Sequence, residues 1–272
     1  MSDVYHVSFP GLGIETELSP VAFKIGSFSI YWYGIIIAAG FILAVVYCMK
    51  IAKKHSVNED KLLNCVIVGM ITAVVGARAY YVAFSWDSFK GDPAAIINIH
   101  GGGLAIYGGL IGALLGGLTA AKIQKMKLLP ILDVAVFGFL IGQGIGRWGN
   151  FMNQEAFGSK TSMPWAMVSE KTGGVGVHPC FLYESVWCIT GFLVLHFVVS
   201  RRQRFDGELF YFYLIWYGAE RALVEGLRSD SLYLPKTNIR VSQLFSIILC
   251  ITGAVLLTVN LIRSKRTEPA KK

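Results

Sequence analysis

Three stretches of the chain, Phe28–Met49, Gly103–Ala121 and Val241–Ile262, contain no Asp, Glu, Lys or Arg. Each is close to the ~20 apolar residues that an α-helix needs to cross a bilayer core. Four further runs have the same length but carry ionisable residues: Leu62–Trp86 with Arg78, Leu128–Gly146 with Asp133, Cys180–Ser200 with Glu184, and Glu208–Leu227 with Glu220, Arg221 and Glu225. The pattern predicts an all-α integral membrane protein of about seven transmembrane helices, with residues 1–272 forming a single polytopic domain. Charged residues make up 15% of the chain, against about 25% in soluble domains, which places most of it in lipid. Thirty glycines fit, since small residues let membrane helices approach closely.

The basic residues assign an orientation. Lys50, Lys53, Lys54 and Lys61 follow the first span, Lys122, Lys125 and Lys127 the third, and Arg201, Arg202 and Arg204 the fifth. Arg263, Lys265, Arg266, Lys271 and Lys272 follow the last. The intervening connections are longer and more sparsely basic. The positive-inside rule puts the dense set in the cytoplasm, so the N-terminus is expected outside and the C-terminus inside. The net charge of +8 then reads as attraction to anionic lipid. A nucleic-acid surface is the weaker reading, because the charge is scattered over separate loops. Residues 147–178, between spans four and five, are long enough for a small extracytoplasmic head. Met1 to Gly26 lacks a basic segment followed by an apolar core, so no cleaved signal peptide is expected. Its prolines and glycines suggest an irregular or surface-lying segment. The five cysteines form no CxxC pair and read as buried small hydrophobes.

Ionisable groups at membrane depth are costly, about 2.5–3.5 kcal/mol each on insertion scales, so those retained need partners or a ligand. Tyr217, Arg221, Glu225 and Arg228 stand at i, i+4, i+8 and i+11 and form one helical stripe. Two arginines, a carboxylate and a phenol make a plausible phosphate clamp, with the glutamate orienting a guanidinium. A plain Arg221–Glu225 ion pair is the structural alternative. Near the end of the fourth span, Gly142, Gly144, Gly146 and Gly149 lead into Arg147, Asn150, Asn153, Gln154 and Glu155. Here glycines are expected to bring backbone N–H groups close to an anion. The GxGxxG match at Gly144–Gly149 is not a dinucleotide fingerprint, because no strand precedes it. Glycine pairs on either side of Tyr107 suggest a break that places the phenol in a cavity; an interfacial anchor is the other reading. His178, followed by Pro179 and Glu184, could face the same outer cavity. Tyr33 is most simply an interfacial aromatic. His6, His55 and His196 show no partners in sequence. Walker A, HExxH and GxSxG motifs are absent, and no metal-ligand spacing is present. These features alone leave an anionic-lipid enzyme and an anionic-phospholipid transporter or scramblase both open.

Several of these segments together resemble bacterial prolipoprotein diacylglyceryl transferase over essentially the whole chain: Tyr31–Gly34, Gly76–Tyr81, Gly101–Gly112, Gly146–Glu155, His178–Glu184 and Tyr217–Arg228. The resemblance implies transfer of the diacylglyceryl group of phosphatidylglycerol to the lipobox cysteine thiol of a preprolipoprotein, with release of glycerol 1-phosphate. It implies a plasma-membrane enzyme with its site towards the outer face, no metal or other cofactor, no nucleic-acid partner and no need for an oligomer. It implies catalytic or binding roles for Arg147, Arg221, Tyr107 and Glu155, with Asn150, Tyr33, Arg78, His178, Tyr217, Glu225 and Arg228 in substrate binding. One position departs from the pattern: where this chain has Tyr107 the family often has a histidine proposed as general base. A phenol with pKa near 10 is a poor base at neutral pH, so Glu155, His178 or His100 are the other candidates.

Overall fold

The computed structural model describes residues 4–98, 102–229, 231–235 and 237–267. His100, one of the candidate bases, and Lys236, Lys271 and Lys272 of the charge pattern lie outside them. The main elements are helices α1 (Trp32–Ala52), α2 (Glu59–Phe84), α3 (Pro93–Ile97), α4 (Ile106–Ile123), α5 (Leu128–Asn153), α6 (Cys180–Val194), α7 (Glu208–Leu227) and α8 (Val241–Thr267). Helix α6 continues through a π turn, Leu195–Val199, and a 3-10 turn, Ser200–Arg202. Among the described residues six helices are long and apolar enough to cross a membrane: α1, α2, α4, α5, the extended α6 and α8. Helix α7, the seventh expected span, forms over the expected residues, but its acidic and basic side chains set it apart from those six.

The N-terminal segment departs from the irregular expectation. It folds as two antiparallel hairpins, β1 (Tyr5–Phe9) with β2 (Ile14–Leu18), and β3 (Val21–Ile25) with β4 (Phe28–Tyr31). The first span therefore begins at Trp32, not Phe28. Gly13, at φ 66°, turns the first hairpin, a conformation glycine adopts without steric cost. Strand β1 also pairs with β5 (Val168–Ser169), which ties the N-terminus to the segment between α5 and α6. The inner face of this sheet packs Val7, Met167, Val177 and Phe181 into a small core. The all-α expectation missed these strands because each is only a few residues long, and β5 lies far from its partner β1 in sequence.

The chain divides into two compact units, Met1–Cys48 with Ala135–Lys272, and Met49–Val134. In the second unit α2 packs on α4. Asn58 caps α2 by accepting the Lys61 N–H at 2.9 Å, with Glu59 and Asp60 favouring the positive helix end. A side chain added at Gly108 would meet the Gly76 carbonyl at 2.3 Å, and one at Gly112 the Thr72 carbonyl at 2.2 Å. These backbones touch, as small-residue membrane interfaces allow. In the first unit α7 packs on α8 through Gly218, where a Cβ would lie 2.6 Å from the Ser246 carbonyl, and through Gly253 against Leu214 and the Tyr211 carbonyl.

Candidate functional site

The first unit gathers charge between α5, α6 and α7. Glu184, on α6, is only 2% exposed and is met by three arginines. Arg147 on α5 pairs with its Oε2, Arg221 on α7 brings Nη1 to 3.5 Å of the same oxygen, and Arg228 brings Nη1 to 3.8 Å of Oε1. Arg221 also pairs with Glu225 one turn on, Nη2 to Oε2 at 2.7 Å. The i, i+4 spacing expected from sequence is therefore an ion pair, and it forms part of a larger cluster. The three arginine side chains are 12–22% exposed, so most of their surface is removed from solvent. Breaking such a buried arrangement by removing one partner typically costs about 3–5 kcal/mol.

Glu184 is the residue that sequence reading undervalued. The sequence suggests that it faces an outer cavity together with His178, but nothing local announces that three arginines from other segments converge on it. Glu220 is the second such residue. It is 2% exposed, its Oε1 has no hydrogen-bond partner among the described residues, and Glu184, Arg147 and Arg221 are its electrostatic neighbours.

Arg147 sits on α5, not in a loop. The helix runs on to Asn153, so the amides of the glycine-rich stretch are engaged in the helix and make no anion cradle. The glycines act in packing instead: Gly144 faces Cys188 and Ile189 of α6, Gly146 faces Ile37, and a Cβ at Gly149 would lie 2.9 Å from the Tyr33 ring. Tyr33, in the first turn of α1, thus rests on α5 at Gly149. Asn150 accepts from Arg147 Nη1 at 3.4 Å and donates to Glu155 Oε1 at 2.9 Å. Asn153 also donates to Glu155, at 3.4 Å. Asn150 therefore links Arg147 to Glu155. Tyr217 stacks on Tyr213 at 5.7 Å between ring centroids, and Tyr213 accepts from Gln143 of α5 at 2.9 Å.

His178 lies at the neck of the segment between α5 and α6. Its Nδ1 is 3.2 Å from the Tyr183 hydroxyl, which accepts from the Trp165 indole at 2.7 Å. The histidine is thus coupled to the head through a phenol. Gly158 and Ser159 connect that head to α7: Gly158 N–H donates to the His178 carbonyl at 2.9 Å, and Ser159 N–H to the Leu227 carbonyl at 2.6 Å. This holds the chain beside Arg228.

Arg78 and Tyr107 belong to the second unit. Arg78, expected in substrate binding, is engaged by backbone carbonyls of the following segment. Its guanidinium donates to the carbonyls of Ile96 (2.7 Å), Ala95 (2.6 Å), Gly102 (3.1 Å) and Gly103 (2.9 Å), and it lies over the Phe89 ring at 5.1 Å. An intramembrane arginine satisfied by carbonyls needs no ligand. Tyr107 lies in the first turn of α4 and is 57% exposed; the following Gly108 is a contact point for α2, not a helix break. Of the histidines without evident partners, His196 pairs with the Tyr47 hydroxyl and His6 with Glu17 at 3.4 Å.

Six apolar helices of spanning length among the described residues, with three arginines gathered around a buried carboxylate, define a multi-pass membrane protein. The comparisons narrow that class. The family model described as prolipoprotein diacylglyceryl transferase matches residues 20–259. A protein of Finegoldia magna called phosphatidylglycerol–prolipoprotein diacylglyceryl transferase is 46% identical over 236 residues, covering 87% of this chain and 93% of that protein. Proteins of the same name from Bacillus licheniformis and Clostridioides difficile are each 40% identical, over 88% and 86% of this chain and 92% of their own lengths. The chain belongs to the prolipoprotein diacylglyceryl transferase family, a family of bacterial membrane enzymes.

Proposed function

We propose that this protein transfers the diacylglyceryl group of phosphatidylglycerol to the lipobox cysteine of preprolipoproteins, the first step of lipoprotein maturation. The observation that carries the reading is the convergence of Arg147, Arg221 and Arg228 on Glu184. The three guanidiniums share Glu184, and Arg221 is held by Glu225 as well, so cationic N–H donors from α5 and α7 are gathered at one place where a phosphodiester could be met. In the reaction the cysteine sulfur forms a bond to the glyceryl carbon, and the bond from that carbon to the phosphate oxygen breaks. The electron pair leaves with glycerol 1-phosphate and the thiol proton is released. Charge therefore grows on the phosphate as the bond breaks, where preorganised donors act most strongly. Arg147 and Arg221 supply those donors, each contributing ~3–4 kcal/mol by analogy with an oxyanion-hole group. Arg228 adds positive field, Asn150 and Glu155 orient Arg147, and Glu225 orients Arg221. Tyr33 and Tyr217 line the cavity.

A free thiol has a pKa near 8.5 and attacks as thiolate. Neighbouring guanidiniums favour the thiolate, which lessens the need for a dedicated base. Glu155, His178 and Tyr107 are the groups to test for proton transfer. Two features favour the outer face of the plasma membrane: basic residues crowd the opposite ends of the spans, and the cluster lies towards the α7 end that leads into the 228–240 connection. Seven spans, counting α7, and the 147–178 head belong to the same proposal. The transporter reading gains no support from the relatives, which are all named as transferases.

The test is purified protein in micelles with phosphatidylglycerol and a synthetic lipobox peptide. A peptide mass gain of one diacylglyceryl group, matched by glycerol phosphate release, is expected. Both should vanish in Arg147→Ala and with a peptide whose cysteine is serine. Lipid movement between leaflets without any mass gain would sink the proposal.

A further inference from the structure

Arg240 immediately precedes α8, and its carbonyl accepts the Leu244 N–H at 3.0 Å. An arginine is disfavoured there, because a helix N-terminus already carries partial positive charge. Its guanidinium is instead directed to the opposite end of another helix. Nη1 donates to the carbonyl of Glu225, in the last turn of α7. That carbonyl is among the last four of the helix, which lack an amide partner within it, and a cation is favourable at this negative end. Nε donates to the Tyr233 hydroxyl at 3.2 Å, and the guanidinium carbon lies 5.8 Å from the centroid of that ring. Tyr233 is held in turn by its bridge to Arg240 and by the neighbouring Leu234 N–H to Ile239 carbonyl bond at 2.9 Å.

A second side chain from the same end of α8 grips the same end of α7. Gln243 Nε2 donates to the Ala222 carbonyl at 2.9 Å. Ala222 directly follows Arg221 and Glu225 lies one turn on, and the Glu225 carboxylate is what holds Arg221 Nη2 at 2.7 Å. The backbone that Arg240 grips is therefore the backbone of the residue that aims a phosphate-binding arginine.

We infer that Arg240, oriented by Tyr233, is a positioning residue for diacylglyceryl transfer: it fixes Glu225 and through it the Arg221 guanidinium. The inference rests on the reading that Arg221 holds the lipid phosphate. A lysine at this position could reach one of the two oxygens but not both, because it lacks the planar fork.

The experiment is a double-variant cycle on the full-length protein in phosphatidylglycerol micelles, using the lipobox-peptide assay. Arg240→Ala should lower kcat/KM for the lipid by about tenfold, the scale of a modest misplacement of a catalytic group. Arg240→Lys should recover part of it. In Arg240→Ala/Glu225→Gln the losses should be clearly less than multiplicative, because both act through Arg221. Loss through a general weakening of the fold would multiply instead, and that result overturns the inference, as does wild-type kcat/KM in Arg240→Ala. Arg221→Ala run alongside separates the two readings: if it too transfers normally, the assignment of Arg221 fails and the clamp with it. If only Arg240→Ala is normal, the clamp alone is wrong. Should Arg240→Ala not yield folded protein, Arg240→Gln, which keeps bulk and an N–H donor, enters the same cycle with the same expectations.

Discussion

Trp187 and Trp216 exchange hydrogen bonds: the indole N–H of each donates to the backbone carbonyl of the other, both at 3.1 Å. Their rings lie 5.0 Å apart, and Gly191 leaves the room that the Trp216 indole occupies. This locks α6 to α7 three residues beyond Glu184 and five before Arg221. The register that lets these two meet is thus set by a neutral contact deeper between the same helices.

Trp216→Phe removes one indole donor and part of the contact area. It should destabilise the protein by about 1–2 kcal/mol and lower activity severalfold by loosening the Glu184–Arg221 approach. Thermal unfolding in detergent, read beside transfer rate, checks both. An unchanged midpoint would mean that the reciprocal pair does not hold the register.

Glu184→Ala leaves three guanidiniums facing one another without their shared carboxylate. A loss of about 3–5 kcal/mol is expected, with transfer activity abolished. Glu184→Gln keeps the shape and should fold better than alanine while remaining severely impaired. If Glu184→Gln matched the wild type in rate, the negative charge at this position would have no part in organising the arginines.

Arg147→Lys keeps a positive charge but loses the forked geometry that meets Glu184 and Asn150 together. Transfer should fall by about 10²-fold, in the range found when a transition-state donor is lost, while the unfolding temperature moves little. Measurement of kcat and KM separately should place most of the loss in kcat.

Gly158 has no room for a side chain: a Cβ would lie 2.7 Å from the His178 Cβ, 2.9 Å from Cys180 Sγ and 3.0 Å from the Leu227 carbonyl. Gly158→Ala should cost about 1–3 kcal/mol through overpacking and displace the chain that runs beside Arg228. Wild-type stability and rate in this variant would show that the neck yields freely.

The Glu170 carboxyl is held below its ordinary range, first by its own backbone N–H and then by that of His6, which reaches its two oxygens at 3.1 and 2.9 Å. The tether is therefore fully present above the unfolded carboxylate pKa of about 4.3 and is lost as pH falls through the lower folded value. Amide exchange at His6, corrected for intrinsic rate, should accelerate only on strong acidification and should be fast at neutral pH in Glu170→Gln.

The sequence by itself determined the class of this protein. Apolar runs of membrane-spanning length declare themselves without tertiary information, because lipid makes burial a property of each segment alone. The stripe of Tyr217, Arg221, Glu225 and Arg228 was likewise legible, since i, i+4 geometry is local. Tertiary structure decided the rest. Glu184 becomes the hub only when α5, α6 and α7 bring Arg147, Arg221 and Arg228 to it. Arg78 becomes a staple only when Ala95, Ile96, Gly102 and Gly103 bring their carbonyls to the guanidinium. Strand β1 takes its second partner, β5, across about 160 residues, a distance that no local pattern spans. Charges and strand edges take their roles from whatever partner reaches them, and in this chain those partners come from distant segments.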